Sequence, residues 1–152
     1  MTMVGNISLL KKPMQGFLCS RTARSSIILP CLDWAVEMAK GEMPVISTFH
    51  SKMEKSVLEV LLAGKCPIVM VLGRKLYKEV PEMLQQALKD GRMLMVSLSE
   101  QTRISQQSAL ACNRFIMEHA QEVVVGFAAP GGNLEMILES NDDKKQIRYI
   151  TR

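Results

Sequence analysis

Short apolar runs alternate with amphipathic segments along most of this chain. Gln15 to Cys19 is apolar and stops at Ser20-Arg21, with Thr22, Arg24, Ser25 and Ser26 following, which predicts a strand and its polar exit turn. From Ile28, Leu32, Ala35, Val36 and Ala39 recur at helical spacing until Gly41, with Ser26 as the expected cap and Pro30 in the first turn. Pro44 to Ser47 is a short buried strand. It runs through Thr48, Phe49 and His50 into a helix opened by Ser51, whose spacing to Glu54 is that of a capping box. Met53, Val57, Val60 and Leu61 share one face of that helix, and Gly64 stops it. Pro67 to Leu72 is continuously apolar, as in a strand covered on both faces, and ends at Gly73-Arg74-Lys75. Pro81 opens a helix with Val80, Leu84, Ala87 and Leu88 on one side and Gly91 at its end. Met93 to Leu98, a longer helix from about Arg103 to His119, and Glu122 to Phe127 come next. The turn Pro130-Gly131-Gly132 leads into a helix to Glu139, then a polar loop at Asn141-Asp142-Asp143 and an edge strand from Gln146 to Thr151.

Strands alternating with helices at this spacing imply right-handed crossovers and a mainly parallel sheet with helices on both faces. The expected fold is a three-layer, doubly wound α/β domain. Residues 1–14 show weak periodicity and are expected as an arm or short first element, with residues 15–152 forming the one domain. A chain of 152 residues can bury roughly 70% of its unfolded surface and needs no metal or disulfide to hold a core.

Composition narrows the chemistry. The 4 cysteines lie far apart with no CxxC pair, and with 2 histidines there is little to build a metal site from, so no metal or cofactor is expected. Each cysteine, like most of the 12 methionines, reads as core filling. No apolar run reaches the roughly 20 residues of a membrane span, and no signal-peptide core precedes Lys11-Lys12, which places the expectation in the cytoplasm.

Doubly wound sheets take ligands beyond the carboxyl ends of their strands. The turns at that edge deliver Ser20, Arg21 and Arg24; Ser47, Thr48, His50, Ser51 and Lys52; Gly73, Arg74 and Lys75; Ser97, Ser99 and Arg103; then Gly126 and Gly131-Gly132. Acidic residues are nearly absent among them before Glu100. Six of the 19 basic residues lie there, which suits either a phosphate-bearing ligand or simple solvation of exposed loops. The helix N-terminus after His50 is expected to point free N–H groups at an anion. His50 can be a turn residue, a ligand contact or an acid–base group, and Phe49 either core or a base-stacking ring. No GxGxxG, GxxxxGK[ST] or G-x-S-x-G is present, and no catalytic residue is assigned.

Taken in order, Leu18-Cys19-Ser20-Arg21, Pro44-Val45-Ile46-Ser47, Pro67 to Gly73, and Cys112-Asn113-Arg114 before Glu122-Val123-Val124-Val125 resemble the Rossmann-like domain of the DNA-processing protein family DprA (Smf), over about residues 15 to 139. That resemblance implies binding of single-stranded DNA in a positive pocket. Ser20 and Arg21 would lie on backbone phosphate, Ser47 in the second phosphate turn, and Asn113 and Arg114 along the pocket. It further implies a homodimer and a recombinase partner in DNA recombination. Cys19 stands where the family has glycine, Thr48-Phe49-His50 where it has a glycine-rich turn, and Cys112 where it has arginine.

Within the same superfamily, Pro130-Gly131-Gly132-Asn133-Leu134-Glu135 is similar to the PGGxGTxxE motif of LOG-type nucleoside-monophosphate phosphoribohydrolases, without its Gly-Thr pair. The leading expectation is therefore a non-enzymatic domain that binds single-stranded DNA or a nucleotide-like phosphate ligand. The alternatives are a LOG-like N-glycosidic hydrolase and a degenerate nucleotide-sensing or interaction domain.

Overall fold

The computed structural model describes residues 1–141 and 144–150. Its sheet has seven strands: β1 (Thr2–Gly5), β2 (Gln15–Cys19), β3 (Val45–Ser47), β4 (Ile68–Leu72), β5 (Met93–Ser97), β6 (Glu122–Phe127) and β7 (Gln146–Tyr149). Their spatial order is β1-β5-β4-β3-β2-β6-β7, parallel throughout except for β1, which runs antiparallel to β5. The helices α1 (Ile28–Lys40), α2 (Lys52–Ala63) and α3 (Glu82–Lys89) carry the chain from β2 to β5 across one face. Helices α4 (Gln106–His119) and α5 (Asn133–Ser140) cover the other. The chain thus winds outward from β2 in one direction, returns through α4, and winds outward from β6 in the other. The expected doubly wound architecture is the one observed, and its switch in strand order falls between β2 and β6.

Each strand serves both layers because its side chains alternate. Phe17 and Cys19 of β2 join the core under α1 to α3, whereas Leu18 joins the core under α4 and α5. In β4 and β5 every residue is buried, which is why those segments read as unbroken apolar runs. Met14, Met53, Met70, Met93, Met95 and Met117 fill core positions, while Met83 and Met136 face solvent.

Several boundaries differ from the sequence pattern for identifiable reasons. Residues 2–5 form an edge strand, and Leu9 and Met14 beyond it are fully buried. Helix α1 is rotated from the expected face: it buries Cys31, Trp34, Ala35 and Ala39, and leaves Val36 43% exposed. The Trp34 ring stacks on Phe17 at 5.1 Å between centroids, and burying that large ring outweighs burying Val36. Ser26 does not cap α1. Residues 25–27 form a 3₁₀ turn that runs straight into it, and the N-cap position, Ile27, makes no side-chain bond. Helix α4 begins at Gln106, not Arg103, because Ser105 and Ser108 form a reciprocal capping box. Strand β5 ends at Ser97, whose Oγ turns to the Arg74 and Ser99 carbonyls. Asp142, Asp143 and Thr151, parts of the expected last loop and strand, lie outside the described residues.

One tertiary cap had no local signal. The Arg92 guanidinium reaches across from the start of β5 to the end of α2, donating to the carbonyls of Leu61 at 2.9 Å, Cys66 at 3.3 Å and Leu62 at 3.4 Å. Leu61 and Leu62 lie in the last turn of α2, whose carbonyls lack intrahelical partners; Leu61 also accepts from Gly64 N–H, and Cys66 lies just beyond the helix. Arg92→Ala is expected to cost about 1.5–3 kcal/mol, the range for bonds from a charged donor. The measurement is the urea midpoint at unchanged slope. Arg92→Lys should recover only part of the loss, since the single nitrogen of an ammonium cannot span carbonyls that the guanidinium meets with three separate nitrogens.

Candidate functional site

The switch in strand order opens the carboxyl edge between β2 and β6, and the local chain geometry is fixed there by small residues. Strand β2 pairs with β3 at Gln15–Val45 and Gly16–Ile46, whereas with β6 it stays paired through Cys19. The β2–β6 register slips between Leu18 and Cys19, which face Val125 and Phe127, so Gly126 is the extra residue of a bulge. A Cβ on Gly126 would lie 2.9 Å from Cys31 Sγ and 3.1 Å from Cys19 Sγ, which leaves no room for a larger residue without displacing a thiol. Burial pushes these thiols up, Cys19 to about 12 and Cys31 to about 11. They are packing groups in this environment and not nucleophiles.

Past the bulge, Ser20 joins the two strand exits. Its N–H donates to the Phe127 carbonyl at 2.8 Å, and its Oγ accepts from Ala129 N–H at 2.9 Å. Arg21 and Arg24 are exposed beside it, and the Arg24 guanidinium lies over the Phe127 ring at 5.6 Å. Among the described residues the ion pairs are Lys40–Glu37 and Arg148–Glu122, so neither arginine is neutralised by a carboxylate. On the β6 side Gly131 has φ 75, a conformation glycine adopts without cost, and its N–H donates to Glu135 Oε1 at 3.0 Å. Gly132 is the N-cap of α5 and offers no side chain to its first turn. The two helices flanking the switch, α1 and α5, both open without a side-chain cap, as does α3 on Pro81, while α2 and α4 have capping boxes.

The β3–α2 turn is organised differently from the sequence expectation. Glu54 is fully buried, and its carboxylate takes three donors of the turn that precedes α2 and one from β2. Oε1 accepts from Thr48 Oγ1 at 2.5 Å, His50 N–H at 2.9 Å and Ser51 N–H at 3.3 Å; Oε2 accepts from Cys19 N–H at 3.0 Å. Burial holds this carboxyl above its ordinary value, and the four hydrogen bonds pull it back only in part. The turn is therefore satisfied from inside. Ser47 is fully buried with its Oγ accepting from Phe49 N–H, and Ser51 caps α2. Phe49 is 4% exposed and packs in the core, so it is not a stacking platform, and it holds φ 49 where glycine would be unstrained. Of this turn, His50 presents an exposed side chain.

The remaining expected residues sit on either side. Gly73 ends β4 where α4 crosses it: a Cβ there would be 3.0 Å from Ser108 Oγ. Arg74 bonds the Lys75 carbonyl through Nε and lies over Tyr77 at 4.8 Å. At ~4.8 Å per strand, these turns are roughly 10 Å along the edge from Ser20. Asn113 is half-buried and Arg114 exposed, and at 1.5 Å rise per residue they lie roughly 10–12 Å down α4 from its N-terminus. The structure thus brings the turn of Ser20, Arg21 and Arg24 beside the turn of Gly131 and Gly132, sets Arg74 further along the same edge, and puts Asn113 and Arg114 well back from it. Glu54 had been legible only as a cap, and Arg24–Phe127 not at all. A separate apolar groove of about 490 Å³ between α1 and α2, lined by Val36, Ala39, Val60 and Ala63, lies at the helices' far ends and away from these turns.

What the fold and edge define is a doubly wound α/β domain whose switch point in strand order carries two exposed arginines, Arg21 and Arg24. No protein-family description and no curated protein matches the chain. Among solved structures, it shares the fold of DNA processing protein A (DprA) from Streptococcus pneumoniae, with a TM-score of 0.77 at 16% identity over 97% of this chain and 53% of that one. It matches DprA from Helicobacter pylori, described for a unique single-stranded DNA binding mode, with a TM-score of 0.75 at 18% identity over 97% of this chain and 69% of that one. The Moco carrier protein from Chlamydomonas reinhardtii matches with a TM-score of 0.56 at 10% identity over 91% and 75%. The chain spans about half the length of the Streptococcus protein. Among the described residues, no helix is long and apolar enough to cross a membrane.

Proposed function

We propose that this domain binds single-stranded DNA, or a nucleotide-like ligand presenting the same phosphates, at the β2–β6 cleft. The observation that carries the reading is the pair of exposed arginines, Arg21 and Arg24, held without a carboxylate partner on the turn that Ser20 fastens to Ala129. Beside them α5 opens on Gly132 without a side-chain cap, so its first turn offers backbone N–H groups and the positive end of its dipole. Arg24 over Phe127 offers a flat cation on an aromatic ring, a surface on which a base can stack. The shared fold with a protein described for its single-stranded DNA binding mode points the same way. In contrast, the β3–α2 turn contributes shape and His50, since Glu54 occupies its donors.

Such binding is driven by counterion release and weakens with salt. The test is fluorescence anisotropy with a labelled oligo-dT across a salt series. The double variant Arg21→Ala/Arg24→Ala is expected to bind about tenfold more weakly at low salt. Its log–log salt slope should be smaller by about 1.4, from ~0.7 per phosphate contact on a single strand. Equal affinity and slope in the two proteins would overturn the assignment. Free base released from nucleoside monophosphates would instead support the hydrolase alternative. Against that alternative, the Glu135 carboxylate already fills the N–H of Gly131 in the glycine turn.

A further inference from the structure

The parallel ladder between β2 and β3 stops after two residues, yet both strands continue toward the edge. What stands between their ends is the side chain of Glu54, projected from the first turn of α2. Its two oxygens divide the work. Oε1 gathers the three donors of the β3–α2 turn, and Oε2 holds the backbone N–H of Cys19, the last residue of β2. Cys19 is also where β2 slips register against β6, and Ser20, one residue on, is bonded to both Phe127 and Ala129. A donor in the middle of a sheet ordinarily finds a strand partner. Here the strand partner is replaced by a carboxylate, which splays β2 away from β3 and toward β6.

We infer that Glu54 is a positioning residue for the β2–β6 cleft: through Oε2 and the Cys19 N–H it sets where Ser20 and the arginine turn after it stand relative to Ala129. It touches no ligand and acts through the backbone. The inference rests on the nucleic-acid reading for what the cleft holds, but its geometric content does not depend on that ligand. Because the two oxygens serve different strands, the roles of Glu54 in capping α2 and in placing β2 are separable. Glutamine can keep its carbonyl oxygen on Thr48, His50 and Ser51, but its Nε2 then brings hydrogens against the Cys19 N–H, which already points a hydrogen at that place.

The experiment compares wild type with Glu54→Gln by amide hydrogen exchange resolved by residue and by oligo-dT anisotropy. Expected is at least a tenfold loss of protection at Cys19, Ser20 and Ala129, with His50 and Ser51 changed by less than threefold, and oligo-dT affinity reduced about five- to tenfold. A role confined to capping α2 would move His50 and Ser51 and spare Ser20 and Ala129, and that result overturns the inference. So does wild-type protection at all five amides. If the Glu54→Gln chain does not fold, Glu54→Asp is read in its place. Its carboxylate is one methylene shorter and is expected to stay with the turn and give up Cys19, with the same selective loss. If wild type itself shows no oligo-dT binding, the nucleic-acid reading fails, while the exchange pattern at Ser20 and Ala129 still decides the role of Glu54.

Discussion

Gly64→Ala is expected to lower the Tm by about 6–12 °C, from a loss of about 3 kcal/mol at the upper end of overpacking costs and ~2–4 °C per kcal/mol for a domain of this size. Backbone strain is not the cause, since Gly64 has φ −96, which any residue adopts. The cause is contact. A Cβ at residue 64 would sit 2.5 Å from the Ala39 carbonyl oxygen and 2.6 Å from its Cβ. The neighbour is backbone near the end of α1, so no rotamer change relieves it; the ends of α1 and α2 must separate. That separation also breaks the bond from Lys65 N–H to the Ala39 carbonyl, 2.8 Å long. Ala39→Gly in the same chain removes the Cβ half of the clash but not the carbonyl half, so the double variant should recover part of the loss and show a non-additive coupling. Thermal unfolding followed by circular dichroism reads all three proteins, and a wild-type Tm for Gly64→Ala would contradict the close approach.

The second large effect belongs to the Glu54 carboxylate as a buried group. In Glu54→Met, a side chain of similar length but no acceptor, the buried N–H groups of Cys19 and Ser51 lose their oxygen. At ~1–3 kcal/mol per unsatisfied buried donor, the expected loss is roughly 2–6 kcal/mol, read from urea unfolding. Its pH dependence has a definite sign. Burial, the largest influence, raises the carboxyl above its reference of 4.5, and the bonds from Thr48, Cys19, His50 and Ser51 lower it by less. The folded chain therefore holds this proton at pH values where the unfolded chain has released it. Stability from this group is full below the unfolded value and declines as pH rises through the higher folded one. Glutamine cannot titrate, so the stability of wild type relative to Glu54→Gln is expected to fall as pH rises from about 4.5. A difference that rises with pH over that range would mean the hydrogen bonds outweigh burial.

The strands were legible because they are buried on both faces. Ile68–Leu72 and Met93–Ser97 have no exposed position to interrupt an apolar run, and Glu122–Phe127 is bounded by polar residues on one side and a small-residue turn on the other. Strand β1 was not, because an edge strand with Val4 40% exposed carries little pattern, and its partner β5 lies far along the chain. The face of α1 was misjudged because periodicity weighs Leu32 and Val36 equally with Trp34, whereas stacking on Phe17 does not. For the site, topology alone put Ser20, Arg21, Arg24 and Gly131-Gly132 at the carboxyl edge. Which turns remain open there is a tertiary matter. Ser51 and Glu54 have capping-box spacing and form one, but the same spacing is silent about Oε2 and a donor 35 residues earlier in the chain. Likewise, nothing around Arg92 tells that it closes the end of another helix.

The antiparallel pairing of β1 with β5 has a consequence for the order of assembly. Strands β2 to β5 are joined by successive crossovers, so each can dock on its predecessor as it is made. Thr2, in contrast, faces Ser97. The β1 segment, made before β5, must stay unplaced until β5 has left the ribosome, and until β1 docks the outer side of β5 is an open template for another chain. Strand β1 is thus a late-closing cover, and an N-terminal fusion that delays it would be felt as aggregation during synthesis before it was felt as any change in the finished fold.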